Sequence, residues 1–185
     1  MEEVTRPFRV CVTGAESTGK SALARALAAH FSVPQVPEYS RQYAEPLARE
    51  LEFLDVVPIA RGQIALEDLA LSAPSGLIIL DTDLLSTVVY SRHHFGACPA
   101  WVETEARARR AELYLLLDVD VPWVADPVRD SGDRRVAVHE AFRRTLEDFE
   151  AQYELVRGSR DERFRRAAAA ISGHVGPALS RPNDL

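Results

Sequence analysis

The stretch from Phe8 to Ser21, FRVCVTGAESTGKS, decides the fold. Its first six residues, Phe8 to Thr13, are apolar and rich in β-branched side chains, which predicts a short buried strand. From Gly14 the chain matches the template G-x-x-x-x-G-K-[ST], in which glycines let successive backbone N–H groups turn inward around an anion. Lys20 to Phe31 (KSALARALAAHF) then carries Leu23, Leu27 and neighbouring alanines at helical spacing. The order is strand, loop, helix, and a helix opening on such a loop turns its positive end toward the same anion. The expectation is a nucleotide triphosphate, read as ATP, held by Gly14, Glu16, Ser17, Thr18, Gly19 and Lys20, with the Ser21 hydroxyl on Mg²⁺.

Working outward, Val33 to Glu38 (VPQVPE) reads as a second strand whose prolines place it at an edge. Arg41 to Leu54 and Pro58 to Leu71 read as amphipathic helices, with Pro46 and Pro58 near helix starts. Leu77 to Leu80 (LIIL) and Leu113 to Asp118 (LYLLLD) are apolar runs that end in acid, as parallel strands covered on both faces do. Helices fit Leu84 to His94 and Pro99 to Arg110 between them. Val121 to Arg135 is polar and punctuated by proline and glycine, which predicts a long loop or lid. A helix over Val138 to Gln152, a strand over Tyr153 to Arg157 and a helix over Asp161 to Ile171 follow, then a loose tail from Ser172. Alternating strands and helices predict an α/β fold: a doubly wound parallel sheet of about five strands with helices on both faces, one domain over residues 1–185 with its core at 8–171. Ligands in such sheets bind beyond the carboxyl ends of the strands, where Gly14, Glu38, Asp81 and Asp118 fall.

Composition narrows the class. A net charge of -6 argues against a broad nucleic-acid face, which needs clustered positive charge. No apolar run reaches the roughly 20 residues that span a bilayer, and MEEVTRPF is not a secretory leader, so a cytoplasmic protein is expected. Cys11 and Cys98 form no metal or disulfide pattern. Of 22 basic residues other than histidine, 21 are arginine, and the single lysine is Lys20. A chain whose lone lysine sits in the phosphate loop lacks the Asn-Lys-x-Asp motif that reads guanine, which argues against a conventional GTPase. A small-molecule kinase fits best, and it needs an acceptor-activating carboxylate, a phosphate clamp and a lid.

Asp81 follows four apolar residues, the position at which phosphate-loop enzymes hold magnesium or its bound water. Glu38, in PEYSRQY, and Asp83 are both placed to accept the acceptor's hydroxyl proton. Arg129, Arg134 and Arg135 are candidate lid arginines that neutralise charge during transfer, Arg135 toward the nucleotide. Trp123 either stacks on a substrate ring or packs the lid down.

Taken together, GAESTGKS, PEYSRQY, LIILDTD and DVPWVADPVRD resemble the ribosylnicotinamide kinase domain of NadR-type proteins, within the phosphate-loop nucleoside kinases, over roughly residues 8–171. The resemblance implies Mg²⁺-assisted transfer from ATP to the 5′-hydroxyl of nicotinamide riboside, giving nicotinamide mononucleotide. Glu38, Tyr39 and Arg41 fall in its E-Y-x-R segment, Asp83 in its D-T-D, and Trp123 and Asp126 in its P-W-V-A-D, all toward the substrate. A pyridinium cation favours such aromatic faces and carboxylates. The chain carries no H-x-G-H motif, so neither NAD synthesis from the mononucleotide nor repression is expected of it. A kinase for another nucleoside or small metabolite, and a regulatory ATPase module, are the alternatives; a homo-oligomer is left open.

Overall fold

The computed structural model describes residues 6–120 and 132–176. Five parallel strands form one sheet in the order β2-β3-β1-β4-β5: β1 (Phe8–Thr13), β2 (Gln35–Val36), β3 (Leu77–Asp81), β4 (Leu113–Leu117) and β5 (Tyr153–Val156). This is the five-stranded, doubly wound sheet the sequence predicts. β1 lies at its centre because it is apolar on both faces, and alternation splits its side chains between two cores. Val10 and Val12 face Leu23, Leu27 and Phe31 of α1 (Lys20–Phe31) and Ala167 and Ile171 of α7 (Arg160–Val175). Cys11 looks the other way, with Ile78, Leu80 and Tyr114, onto α3 (Val56–Leu71), α4 (Leu84–Phe95), α5 (Ala100–Ala108) and α6 (Gly132–Asp148). Burying both faces at about 25 cal/mol per Å² of apolar surface is the main stabilising term. All five strands end at one edge, and the loops there carry the site.

Several boundaries differ from the sequence reading, each for a local reason. Helix is expected from Arg41 to Leu54, but α2 spans only Tyr39–Ala44. Pro46 restricts the residue before it and cannot donate to a continuing helix. The chain turns instead, and Arg49 closes a fork onto the Asp55 carboxylate at 2.7 and 2.9 Å, with the Tyr43 hydroxyl on the same group at 2.9 Å. Helix α3 starts at Val56, which puts Pro58 third in the helix, where an amide has no intrahelical partner. The edge strand β2 shrinks to two residues because Pro34 and Pro37 flank it. Helix α6 begins at Gly132, so Arg134 and Arg135 stand in its first turn and not in the expected loop, and it ends at Asp148 where Glu150 takes φ 51°. Helix α7 runs on to Val175 through the expected tail; its start is fixed by a reciprocal pair of bonds between Ser159 and Glu162.

Candidate active site

The loop between β1 and α1 is built from three left-handed residues, Gly14 (φ 134°), Ser17 (φ 58°) and Gly19 (φ 90°). A Cβ on Gly14 would sit 2.9 Å from the Leu117 carbonyl oxygen, so the loop's first turn lies directly against β4. Around Gly19 there is open space instead. Two donors hold the loop's shape from within: the Thr18 hydroxyl and the Lys20 ammonium both donate to the Ala15 carbonyl, at 2.7 and 2.8 Å. Burial pulls the Lys20 ammonium below its ordinary pKa, against the opposing charges of Glu38, Asp81 and Glu16. Those three carboxylates are thus its electrostatic neighbours. Glu16 is held by the Tyr90 hydroxyl from α4 at 2.8 Å; burial acts to raise its pKa, but this bond and its own backbone bring it below the ordinary value.

At the end of β3, Thr82 adopts φ 67°, an uncommon conformation for a β-branched residue and a point of local strain. It sends the two carboxylates of D-T-D to different sides. Asp81 faces the phosphate loop: burial lifts its pKa and the Ser21 hydroxyl works the other way, while Oδ1 is buried without a partner. An unpaired, buried carboxylate oxygen beside a serine hydroxyl fits a hard, oxygen-seeking cation. Among the described residues no cluster of three or more His, Cys, Asp or Glu could hold a metal by itself, so such an ion would need phosphate or water oxygens as well. Asp83 turns inward. It caps α4 by accepting from the Leu85 N–H at 3.0 Å and from the Tyr114 hydroxyl at 2.6 Å, and burial raises its pKa.

Glu16, Lys20, Glu38 and Arg41 open onto one cleft of ≈ 1040 Å³, which Arg134 and Arg135 also line. Asp83 borders it too, with both oxygens engaged internally. Glu38 accepts from the Ser40 hydroxyl at 2.8 Å and pairs with the largely exposed Arg41 guanidinium at 3.3 Å. Arg135 is buried, and its Nε and Nη2 find no hydrogen-bond partner among the described residues. Tyr39 points elsewhere: its ring lies over Gly62 of α3, where a Cβ would be 2.0 Å from the ring, and its N–H donates to the Gln63 side chain at 3.0 Å. Trp123, Asp126 and Arg129 lie outside the described residues. The sequence reading missed Tyr90 and His94, whose rings stack at 5.9 Å along the cleft wall; their i, i+4 spacing on α4 is the signal that they share a face. It also missed Arg163 of α7, which reaches the Thr18 carbonyl across 145 positions of sequence and leaves no local pattern to find.

A glycine-rich phosphate cradle at the carboxyl edge of a parallel sheet, followed by a helix and faced by a strand-end carboxylate, defines a P-loop nucleotide-binding domain. A family model described as AAA domain matches residues 9–163, and the chain belongs to that family. It is 31% identical over 136 residues to the trifunctional NAD biosynthesis/regulator protein NadR of Escherichia coli (strain K12), a match covering 69% of this chain and 33% of that protein. The chain thus spans about a third of the length of the curated relatives it matches. A crystal structure of NadR protein in complex with NR superposes with a TM-score of 0.76 at 25% identity, over 94% of this chain and 53% of that one. The fold is shared with thymidylate kinase from Ehrlichia chaffeensis, at a TM-score of 0.69 and 12% identity, over 90% of this chain and 99% of that one. The resemblance to NadR read from the sequence is therefore met in both sequence and fold.

Proposed function

We propose that the chain is a nucleoside kinase that transfers the terminal phosphate of ATP to the 5′-hydroxyl of nicotinamide riboside, forming nicotinamide mononucleotide. One observation carries the reading: Glu38 opens onto the same cleft as Lys20 and Arg135, and its charge acts on the Lys20 ammonium, so an acceptor hydroxyl and a terminal phosphate would meet between them. Loop amides and Lys20 bind the phosphates, and Ser21 and Asp81 would hold the magnesium ion that neutralises their charge. Glu38 takes the hydroxyl proton. Asp83, buried and tied to the α4 cap and Tyr114, leaves that role to Glu38, which is more exposed and whose partners Ser40 and Arg41 themselves line the cleft. Arg135, with Arg134 beside it, meets the charge that develops on the transferring group, because a buried guanidinium with two unpaired nitrogens favours an anion strongly. For a pyridinium nucleoside, the described cleft supplies the Tyr90 and His94 faces and the rim carboxylates Glu45, Glu50 and Glu52.

The match to NadR and the fold of nucleoside kinases support this substrate class. Its test is an acceptor panel with ATP and magnesium: kcat/KM for nicotinamide riboside should exceed that for adenosine, cytidine, uridine and thymidine. A larger value for any of the four would reassign the acceptor.

A further inference from the structure

Arg163, outside the cleft, engages all three of its guanidinium nitrogens. It belongs to the first full turn of α7, is 5% exposed, and lies 145 positions from the loop it touches. Its Nη1 donates to the Thr18 carbonyl at 2.7 Å, its Nε to the Gly158 carbonyl at 2.9 Å, and its Nη2 to the Asp118 carbonyl at 2.9 Å and to the Asp120 carboxylate. Three backbone segments therefore converge on one planar group: the phosphate loop, the end of β4 and the turn from β5 into α7. The Asp120 carboxylate balances the guanidinium charge and also accepts from the Gly158 N–H at 2.7 Å, closing the cluster.

The Thr18 contact has a stereochemical consequence. In a trans peptide the carbonyl and the following N–H lie in one plane and point in opposite directions. Drawing the Thr18 carbonyl toward α7 turns the Gly19 N–H away from α7, while a Cβ on Gly19 would meet nothing within 4 Å. Gly19 at φ 90° has little conformational preference of its own to hold that plane, since glycine populates positive and negative φ alike. An external clamp has to supply the order. Lysine, a point charge on a flexible stem, cannot span three carbonyls in fixed directions as a guanidinium fork does.

We propose that Arg163 is a positioning residue for the donor nucleotide: by fixing the Thr18–Gly19 peptide it aims the Gly19 amide into the phosphate cradle, which makes α7 part of the nucleotide site. The proposal rests on the reading of that loop as a triphosphate cradle, and the probe is therefore the ATP analogue AMP-PNP with magnesium, which needs no acceptor. Calorimetric titration of the wild-type chain, Arg163→Lys and Arg163→Ala should show binding weakened about tenfold or more in both variants. In turnover, KM for ATP should rise by a similar factor while KM for the acceptor stays within twofold. Millimolar guanidinium ion should restore AMP-PNP affinity to Arg163→Ala. Equal affinity in folded wild type and Arg163→Lys, with only the unfolding midpoint lowered, would reduce Arg163 to a structural staple and overturn the proposal. No binding to the wild-type chain would instead overturn the cradle reading, and this proposal with it. A measurement on the wild-type chain keeps the question open to refutation if neither variant folds. The Gly19 amide resonance should move strongly downfield on adding AMP-PNP, and an unmoved Gly19 amide contradicts the assignment.

Discussion

Lys20, Glu38 and Gly14 each owe their places to a constraint that one substitution removes. Lys20 is a buried ammonium among three carboxylates, so Lys20→Ala should abolish turnover, and Lys20→Arg should fail too, because a planar fork does not replace a compact, rotatable donor. Either variant retaining normal kcat in an ADP-release assay would remove the loop from the mechanism. Glu38→Gln should lower kcat by about 10²- to 10⁴-fold, the usual weight of a general base. Asp83→Asn should act differently: it disturbs the α4 cap and the Tyr114 contact, lowering thermal stability while the folded fraction keeps most of its kcat. Gly14→Ala combines φ 134° with a methyl 2.9 Å from the Leu117 carbonyl oxygen and should destabilise the fold by about 1–3 kcal/mol in denaturant titration. Much of this was legible at the residue scale. Lys20 and Ser21 follow from a local template, since strand, loop and helix are contiguous, and Asp81 from the apolar run that it ends. Asp83 was not legible in the same way, because nothing in D-T-D announces that Thr82 takes a left-handed turn and sends the second carboxylate inward.

The elements were legible wherever apolar pattern alone decides them. β1, β3 and β4 are buried runs with one reading, and α1 and α4 lie within a residue of expectation. The sequence misled between α2 and α3, where a helical pattern continues through Pro46 but a tertiary pair, Arg49 with Asp55, holds a turn. Tyr39 shows the same limit: the motif that contains it points to substrate, while its ring packs on Gly62, whose missing side chain makes room. Gly62→Ala tests that packing. Alanine favours a helix by about 1 kcal/mol over glycine, so α3 by itself would gain. The methyl would displace the Tyr39 ring and with it the segment bearing Glu38, so KM for the acceptor should rise while KM for ATP does not. An unchanged acceptor KM would show that the ring moves without carrying the segment.

Across the whole molecule, a second group of buried charges joins Glu67 of α3 to Asp83 and to Arg9 of β1. Burial, and next to it the negative charge of Asp83, lifts the Glu67 carboxyl from an ordinary 4.5 to about 7, against the pull of Gln63, Arg109 and Arg9. Its ion pair with Arg109 is loose: Nε stands 3.6 Å from the carboxylate, too far for a hydrogen bond. Because the folded chain holds this proton more tightly than the unfolded chain, the group's contribution to stability is greatest below pH 4.5 and falls as pH rises to about 7, by up to about 3 kcal/mol. Glu67→Gln should remove that slope from the difference between unfolding free energies at pH 5 and pH 7.5; an unaltered slope would mean that other groups set it. The network also reaches the acceptor side, since Glu67 accepts from Gln63 at 3.3 Å and Gln63 holds the Tyr39 amide. Such long-range couplings, like Arg163 to Thr18, are where sequence pattern runs out, because they depend on sheet order and not on spacing. Sheet order also brings Glu38 of the β2 end to the phosphate loop after β1, with β3 between them, and the proposed chemistry depends on that meeting. The most direct measurement is mass-spectrometric detection of the product formed from ATP, magnesium and nicotinamide riboside. The account predicts nicotinamide mononucleotide and ADP in equal amounts, with neither formed by Lys20→Ala. ADP released at the same rate without the riboside, and no mononucleotide, would contradict it.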